Sequence, residues 1–136
     1  MVVQMLEVDQ QECMGVALLE LSEEVRDGAV VVAAQGEIDT SNVDNFVSRL
    51  DVALKAAGEH PSRVLVIELA EVTYFGSAGL NSILACYEQG LAENVAVRVV
   101  VDNAEVLRPI QVTNLDTVLP MFETVANAIE GVGREQ

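Results

Sequence analysis

The stretch from residue 63 to residue 80, RVLVIELAEVTYFGSAGL, contains the strand and the helix start that decide the fold. Its first half holds four consecutive aliphatic residues, Val64 to Ile67, and unbroken runs of this kind are typical of strands covered on both faces. After Val72 the chain turns into a helix that we expect to begin near Ser77. The evidence for this helix is one apolar stripe at helical spacing, made of Leu80, Ile83, Leu84, Tyr87 and Leu91.

A hairpin precedes this stretch. Residues 15–25 alternate between apolar and polar in the manner of a strand, and residues 29–34 form a short buried run. Between them stands Asp27-Gly28, a pair that favours the tight turn of a β-hairpin. We therefore expect the first two strands to be antiparallel neighbours.

The remaining helices are predicted from their ends. Ser41 and Asp44 have the spacing of a capping box, and Gly58 ends that helix. Asp102 with Glu105 predicts the start of another short helix. It contains Pro109, which should kink or shorten it, and Asn114 suits the left-handed residue after its end.

Two strands and a last helix complete the chain. Residues 95–101 read as a buried strand, residues 118–121 as a short edge strand that tolerates Pro120, and residues 122–132 as a helix closed by Gly131 or Gly133. The resulting order is β-β-α-β-α-β-α-β-α. Strands that alternate with helices predict an α/β domain with a mixed, mostly parallel sheet of four to five strands and about four helices. We place it at residues 15–132, after a lead-in over 1–14 and before a tail over 133–136.

Composition limits the classes of partner. The chain has 136 residues, of which 22 are acidic and 7 basic, so its net charge is −15. This charge repels nucleic acid and anionic membranes, and it suits plain solubility or a basic protein partner. No apolar run approaches the roughly 18 residues of a membrane helix, and the first residues lack the positive segment of a signal peptide. We therefore expect a cytoplasmic protein.

The residues of common enzyme sites are missing from the sequence. The single histidine, His60, precedes Pro61 in a predicted loop, and no nucleophile elbow, phosphate-binding loop or Gly-x-Gly-x-x-Gly motif is present. Two cysteines are too few for a zinc site or a disulfide scaffold. The sequence predicts a protein that is not an enzyme and holds no metal or cofactor.

Three short segments, in the right order, resemble the STAS domains of anti-sigma-factor antagonists. They are Gly36-Glu37-Ile38-Asp39, the run from Val72 to Leu80, and the pair Val106-Leu107-Arg108 and Thr113-Asn114-Leu115. The resemblance implies a partner switch: the protein binds an anti-sigma factor, which can also be a serine kinase, and thereby frees the sigma factor. It implies phosphorylation at Ser77 and partner contacts at Asp39, Gly76, Ser77, Ala78, Gly79 and Asn81.

The turn departs from the family pattern at two positions. The family usually reads Asp-Ser-Ser/Thr-Gly, whereas Gly76 replaces the aspartate and Ala78 the second hydroxyl residue. Thr73 is a weaker alternative acceptor. The departure also leaves open a STAS scaffold, or a subunit of a stress-signalling or transport complex, without a phosphorylation switch. A homodimer is left open as well.

Each of the principal residues also has a structural interpretation. Ser77 could be an ordinary N-cap, Asp39 a carboxylate at a helix start, and Gly79 a packing glycine rather than a point of close approach by a partner.

Cys86 carries a separate hypothesis. The helical positions put it off the apolar side, with Ser82, Gln89 and Glu93, so we expect it to be partly exposed and its oxidation or modification to perturb partner binding. The alternative is an inert, half-buried thiol, and a disulfide with Cys13 is left open.

Overall fold

The computed structural model of the chain describes residues 19–131. These residues confirm the predicted α/β class and the predicted order of elements. The elements are β1 (Leu19–Arg26), β2 (Ala29–Ile38), α1 (Val43–Gly58), β3 (Val64–Phe75), α2 (Ser77–Glu93), β4 (Ala96–Val100), α3 (Ala104–Val112), a 3-10 helix (Leu115–Thr117), β5 (Met121–Phe122) and α4 (Val125–Glu130).

The strands form one mixed sheet in the order β1-β2-β3-β4-β5. β1 is antiparallel to β2, and every later pair is parallel. Asp27 and Gly28, between β1 and β2, have φ of 53° and 85°, and hairpin turns of this kind need positive φ at both central residues. The predicted hairpin is therefore confirmed.

Both faces of the sheet are covered, as the aliphatic runs predict. Along β2 the side chains alternate: Val30 and Val32 belong to the larger core cluster, to which α1, α2 and α3 contribute, whereas Ala29 and Val31 belong to the smaller cluster, to which α4 contributes. Leu65 and Ile67 of β3 are fully buried in the same cluster as Val30 and Val32. No helix within residues 19–131 is long and apolar enough to cross a bilayer.

The capping box predicted for α1 is wrong. The N-cap position is Asn42, and it makes no side-chain cap hydrogen bond. The Ser41 hydroxyl instead donates to the Asp39 carboxylate, with 2.6 Å between Oγ and Oδ1. Ser41 is thus part of the preceding loop, where its N–H and its hydroxyl both donate to the charged Asp39 carboxylate.

The cap predicted for α3 is also displaced, from Asp102 to Asn103. Asn103 Oδ1 accepts the N–H of Val106 at 3.0 Å, and its Nδ2 donates to the carbonyls of Ala70 at 2.8 Å and Val72 at 3.2 Å. The Asn amide accepts from the helix and donates to the strand at once, whereas an ionised Asp can only accept, so the position suits Asn rather than Asp.

Other boundaries moved by a few residues. β3 continues to Phe75, well beyond the aliphatic run from Val64 to Ile67 that predicts it. β5 covers only Met121–Phe122 rather than residues 118–121, because the N–H groups of Val118 and Leu119 donate to the Leu115 carbonyl in the turn before it. α3 runs three residues beyond Pro109, and Asn114 takes the predicted left-handed conformation with φ of 64°. Gly131, with φ of 81°, ends the last helix, as one of the two predicted alternatives. Predictions for residues 1–18 and 132–136 lie outside the described residues.

One arginine joins the ends of the two longest helices. The Arg63 guanidinium donates to the carbonyl of Gly58 at the end of α1 and to those of Glu93 and Asn94 at the end of α2, at 2.7, 2.7 and 2.9 Å. These carbonyls lack partners within their helices and carry the negative end of the helix dipole, so a cation there stabilises both termini.

Arg63→Ala should lower the free energy of unfolding by about 1–2 kcal/mol, because three carbonyls lose a charged donor at a solvent-exposed site. Urea denaturation followed by circular dichroism measures the change. Arg108→Ala, at an exposed position of α3, is the control and should stay within about 0.5 kcal/mol of the wild type. Equal stability of Arg63→Ala and Arg108→Ala would contradict the capping role.

Candidate functional site

The candidate site lies where β2 and β3 extend beyond the rest of the sheet. β4 pairs with β3 only from Val64 to Glu68, whereas the β2–β3 pairing continues to Ile38 opposite Phe75. Both strands run in the same direction, so the loops that follow them meet at one edge. The N–H of Gly76 donates to the Ile38 carbonyl at 3.2 Å and joins the two loops directly. We call this region the carboxyl edge.

A β-bulge lies near the end of the β2–β3 pairing. The register shifts between Gly36 and Glu37, and Gly36 has φ of 108°, a backbone conformation that residues with a Cβ rarely adopt. The Thr73 hydroxyl donates to the Gly36 carbonyl at 3.3 Å. This hydrogen bond supports the bulge. The Thr73 hydroxyl thus has a partner within the fold, whereas the Ser77 hydroxyl has none among the described residues.

Asp39 follows β2 and is held by its own loop. Its Oδ1 accepts from the hydroxyl of Ser41 at 2.6 Å and from the N–H of Ser41 at 2.9 Å. Both hydrogen bonds lower the pKa of the Asp39 carboxyl below its ordinary value, and the bond from the Ser41 hydroxyl has the larger effect. Asn42 closes the loop, since its Oδ1 accepts the Asp39 N–H at 3.0 Å. The edge therefore presents a fixed negative charge at neutral pH.

Ser77 is the first residue of α2 and is exposed. The N-cap position belongs to Gly76, in extended backbone with φ −86° and ψ 179°, so the interpretation of Ser77 as the N-cap does not hold. Among residues 19–131, no hydrogen bond involves the Ser77 hydroxyl. A hydroxyl at the positive end of a 17-residue helix is thus available to an incoming group.

The other residues predicted to contact a partner divide into two groups. Asn81 is exposed one turn after Ser77, and Ala78 is partly buried beside it. Gly79 is buried and faces the opposite way: a Cβ there would lie 2.8 Å from Ile38 Cγ2 and 2.9 Å from Phe75 Cε1. The close approach that this glycine allows is therefore to the sheet inside the chain, as in the packing interpretation.

The structure contradicts the predicted exposure of Cys86. Only 7% of the residue is exposed, because α2 packs against α1 as well as against the sheet. Its thiol borders a groove of about 280 Å³ that is also lined by Leu50, Leu54 and Asp51. Burial, and to a smaller extent the charge of Asp51, raises the pKa of the Cys86 thiol to about 12. Little thiolate forms, so the site lacks the reactive species that a redox switch needs.

Tyr74 is a residue of this edge to which the sequence pattern assigned no function. It is 52% exposed, while its neighbour Phe75 is buried. Its exposure could have been predicted from the sequence, because side chains alternate along a strand and a buried Phe75 implies an outward Tyr74.

No group of three His, Cys, Asp or Glu side chains able to hold a metal ion occurs in the described part of the chain.

Gly79→Ala should lower the free energy of unfolding by about 1–3 kcal/mol, because the new methyl group overlaps Ile38 and Phe75 and forces α2 away from the sheet. Urea denaturation measures this. Asn81→Ala, on the exposed side of the same helix, is the matched control and should change stability by less than about 0.5 kcal/mol. If Gly79→Ala were as stable as Asn81→Ala, the tight contact would not limit the position of the helix.

Cys86 in the folded protein should react with iodoacetamide at pH 8 on the order of a hundredfold more slowly than in urea, because the buried thiol is protonated. Mass spectrometry of the peptide that contains Cys86 follows the rate independently of Cys13. Asp51→Asn should accelerate the reaction only slightly, since burial is the main cause of the raised pKa. Equal rates in the folded and the unfolded chain would restore the redox hypothesis.

Comparison with known proteins gives consistent matches. A model of the STAS domain matches residues 20–128. RsfB, an anti-sigma-F factor antagonist of Mycobacterium tuberculosis, is 32% identical over 106 residues, which cover 77% of this chain and 82% of RsfB.

Solved structures agree in architecture. The crystal structure of an anti-sigma factor antagonist from Mycobacterium paratuberculosis aligns with a TM-score of 0.75 at 31% identity. The alignment covers 84% of this chain and 93% of the Mycobacterium paratuberculosis chain. SpoIIAA of Bacillus in its unphosphorylated form shares the fold at 18% identity, with a TM-score of 0.66. That alignment covers 83% of this chain and 96% of the SpoIIAA chain. Since the family model spans nearly all the described elements, including both loops of the carboxyl edge, the chain belongs to the STAS domain family.

Proposed function

We propose that this protein is a cytoplasmic anti-sigma-factor antagonist, without enzymatic activity of its own, that binds an anti-sigma factor through its carboxyl edge and thereby frees the sigma factor. The observation that carries the proposal is the exposed Ser77 hydroxyl, which has no partner among residues 19–131 and lies beside the Asp39 loop. The antagonist RsfB, at 32% identity over most of its length, supports this assignment.

Phosphorylation of Ser77 by a serine kinase, the anti-sigma factor itself or another, is the proposed control. A phosphate adds a charge of about −1.5 to −2 at pH 7. The N-terminus of α2 favours an anion, so the helix should tolerate the group without unfolding. An interface that covers Ser77 would not tolerate it, because the phosphate would lose its water and would lie near the carboxylate of Asp39. Phosphorylation should therefore abolish binding and leave the fold intact.

Asp39 contributes to the same control. Its carboxylate is already bound by Ser41 and is charged at neutral pH, so it cannot accommodate a second anion by taking up a proton. A partner that fits the unmodified edge must supply a positive or donor group opposite Asp39. The net charge of −15 would also attract such a partner over distance.

A scaffold without a phosphorylation switch is the second candidate. The observation that favours it is Gly76, which places no carboxylate next to Ser77. In that case the carboxyl edge would still bind a protein, but no phosphate would control the binding.

Incubation with ATP and each anti-sigma factor of the same genome, followed by intact-mass spectrometry, tests the switch. Wild-type protein should gain a single phosphate, and Ser77→Ala should gain none. Ser82→Ala is the matched control because its hydroxyl already donates to the Ala78 carbonyl at 2.8 Å, so it should be phosphorylated like the wild type. A phosphate retained in Ser77→Ala would assign the acceptor elsewhere, with Thr73 the next position to change.

Calorimetric titration of the same anti-sigma factors tests the binding. Ser77→Glu should bind at least about tenfold more weakly than the wild type, whereas Ser77→Ala should bind within about threefold. Binding without any phosphorylation would favour the scaffold. Binding that Ser77→Glu leaves unchanged would show that the interface lies away from the carboxyl edge.

A further inference from the structure

Tyr74 is the exposed aromatic residue of this edge. The chain has five Phe and Tyr residues in all. Phe46, Phe75 and Phe122 are buried, Tyr87 is partly buried, and Tyr74 exposes 52% of its surface. Exposed Tyr side chains are enriched among the few residues that dominate the binding energy of protein interfaces.

The backbone of Tyr74 is held firmly although its ring is exposed. It pairs with Glu37 in the β2–β3 ladder, directly after the bulge that the Thr73 hydroxyl supports. Holding the backbone restricts the ring to the rotamers of two torsions, so a partner loses little entropy in ordering it further.

Gly76 determines where the ring lies. A Cβ on Gly76 would stand 3.2 Å from the Tyr74 hydroxyl oxygen and 3.3 Å from Cε2, closer than most such contacts in proteins. The backbone at Gly76, with φ −86° and ψ 179°, would accept any residue. The absence of a side chain at Gly76 therefore gives room to the Tyr74 ring, which lies next to the residue that precedes Ser77.

The charge beside the ring is negative. Glu37 stands opposite Tyr74 on the neighbouring strand, and Cα partners in a sheet project their side chains to the same face. An aromatic face attracts a cation, and a nearby carboxylate strengthens that attraction. The chemistry at this position suits an arginine or lysine side chain.

We propose that Tyr74, given room by Gly76 and accompanied by Glu37, is the specificity-determining anchor that receives a basic side chain of the anti-sigma factor. The inference rests on the proposed function and adds the residue that selects the partner. The face that carries Tyr74 and Glu37 would then be continuous with Ser77, so one partner would cover both the anchor and the phosphorylation site.

Calorimetric titration with the purified anti-sigma factor that the wild type binds tests the anchor. Tyr74→Ala should weaken binding at least about tenfold, whereas Tyr74→Phe, which keeps the aromatic face, should remain within about threefold. Leu91→Ala is the control, since Leu91 is 61% exposed but about 20 Å from Ser77 along α2. It should bind like the wild type, and all three variants should melt like the wild type.

A double-mutant cycle of Gly76 and Tyr74 distinguishes a specific contact of the Tyr74 ring from a general disturbance of the carboxyl edge. Gly76→Ala should weaken binding several-fold by displacing the ring, and it should add nothing in the Tyr74→Ala background. Glu37→Gln should weaken binding and reduce its dependence on salt. Wild-type affinity in Tyr74→Ala would overturn the anchor and leave the proposed function standing. If the wild type bound no anti-sigma factor, both would fail.

Discussion

The parallel pairing of β2 with β3 is the constraint on which the rest of this structure depends. It brings the loop after Ile38 and the loop after Phe75 to one edge, although 37 positions separate those two residues in the chain. A parallel pair needs a crossover, and α1 provides it while covering one face of both strands. The bond from the Gly76 N–H to the Ile38 carbonyl then fixes the two loops relative to each other.

Packing beneath the carboxyl edge fixes the geometry of the residues that it exposes. Gly79 allows α2 to lie tightly on Ile38 and Phe75, and the Asn103 side chain ties β3 to α3 where β4 no longer pairs with it. These contacts lie within the domain, so they would persist in the absence of a partner. Ser77, at the start of the same α2, is thereby held on a fixed support, as the proposed phosphorylation switch would require.

Sequence reasoning succeeded where one local pattern decides the structure. The Asp27-Gly28 turn, the aliphatic run of β3 and the left-handed Asn114 each follow from steric or periodic rules that act within a few residues. It failed where a group from a distant segment competes. Asn103 rather than Asp102 caps α3 because β3 carbonyls need a donor, and Cys86 is buried because α1 covers a side of α2 that a helical projection treats as solvent.

The sequence by itself determined the class of the fold, the order of its elements and the position of Ser77 at a helix start. It did so because hydrophobic periodicity and turn chemistry are local properties of the chain. Tertiary structure alone decided that Gly79 faces inward, that the Cys86 thiol is protonated and that the Tyr74 ring lies against Gly76. Those outcomes depend on which surfaces meet across the sheet, and burial and close contact are properties of the packed chain rather than of any segment within it.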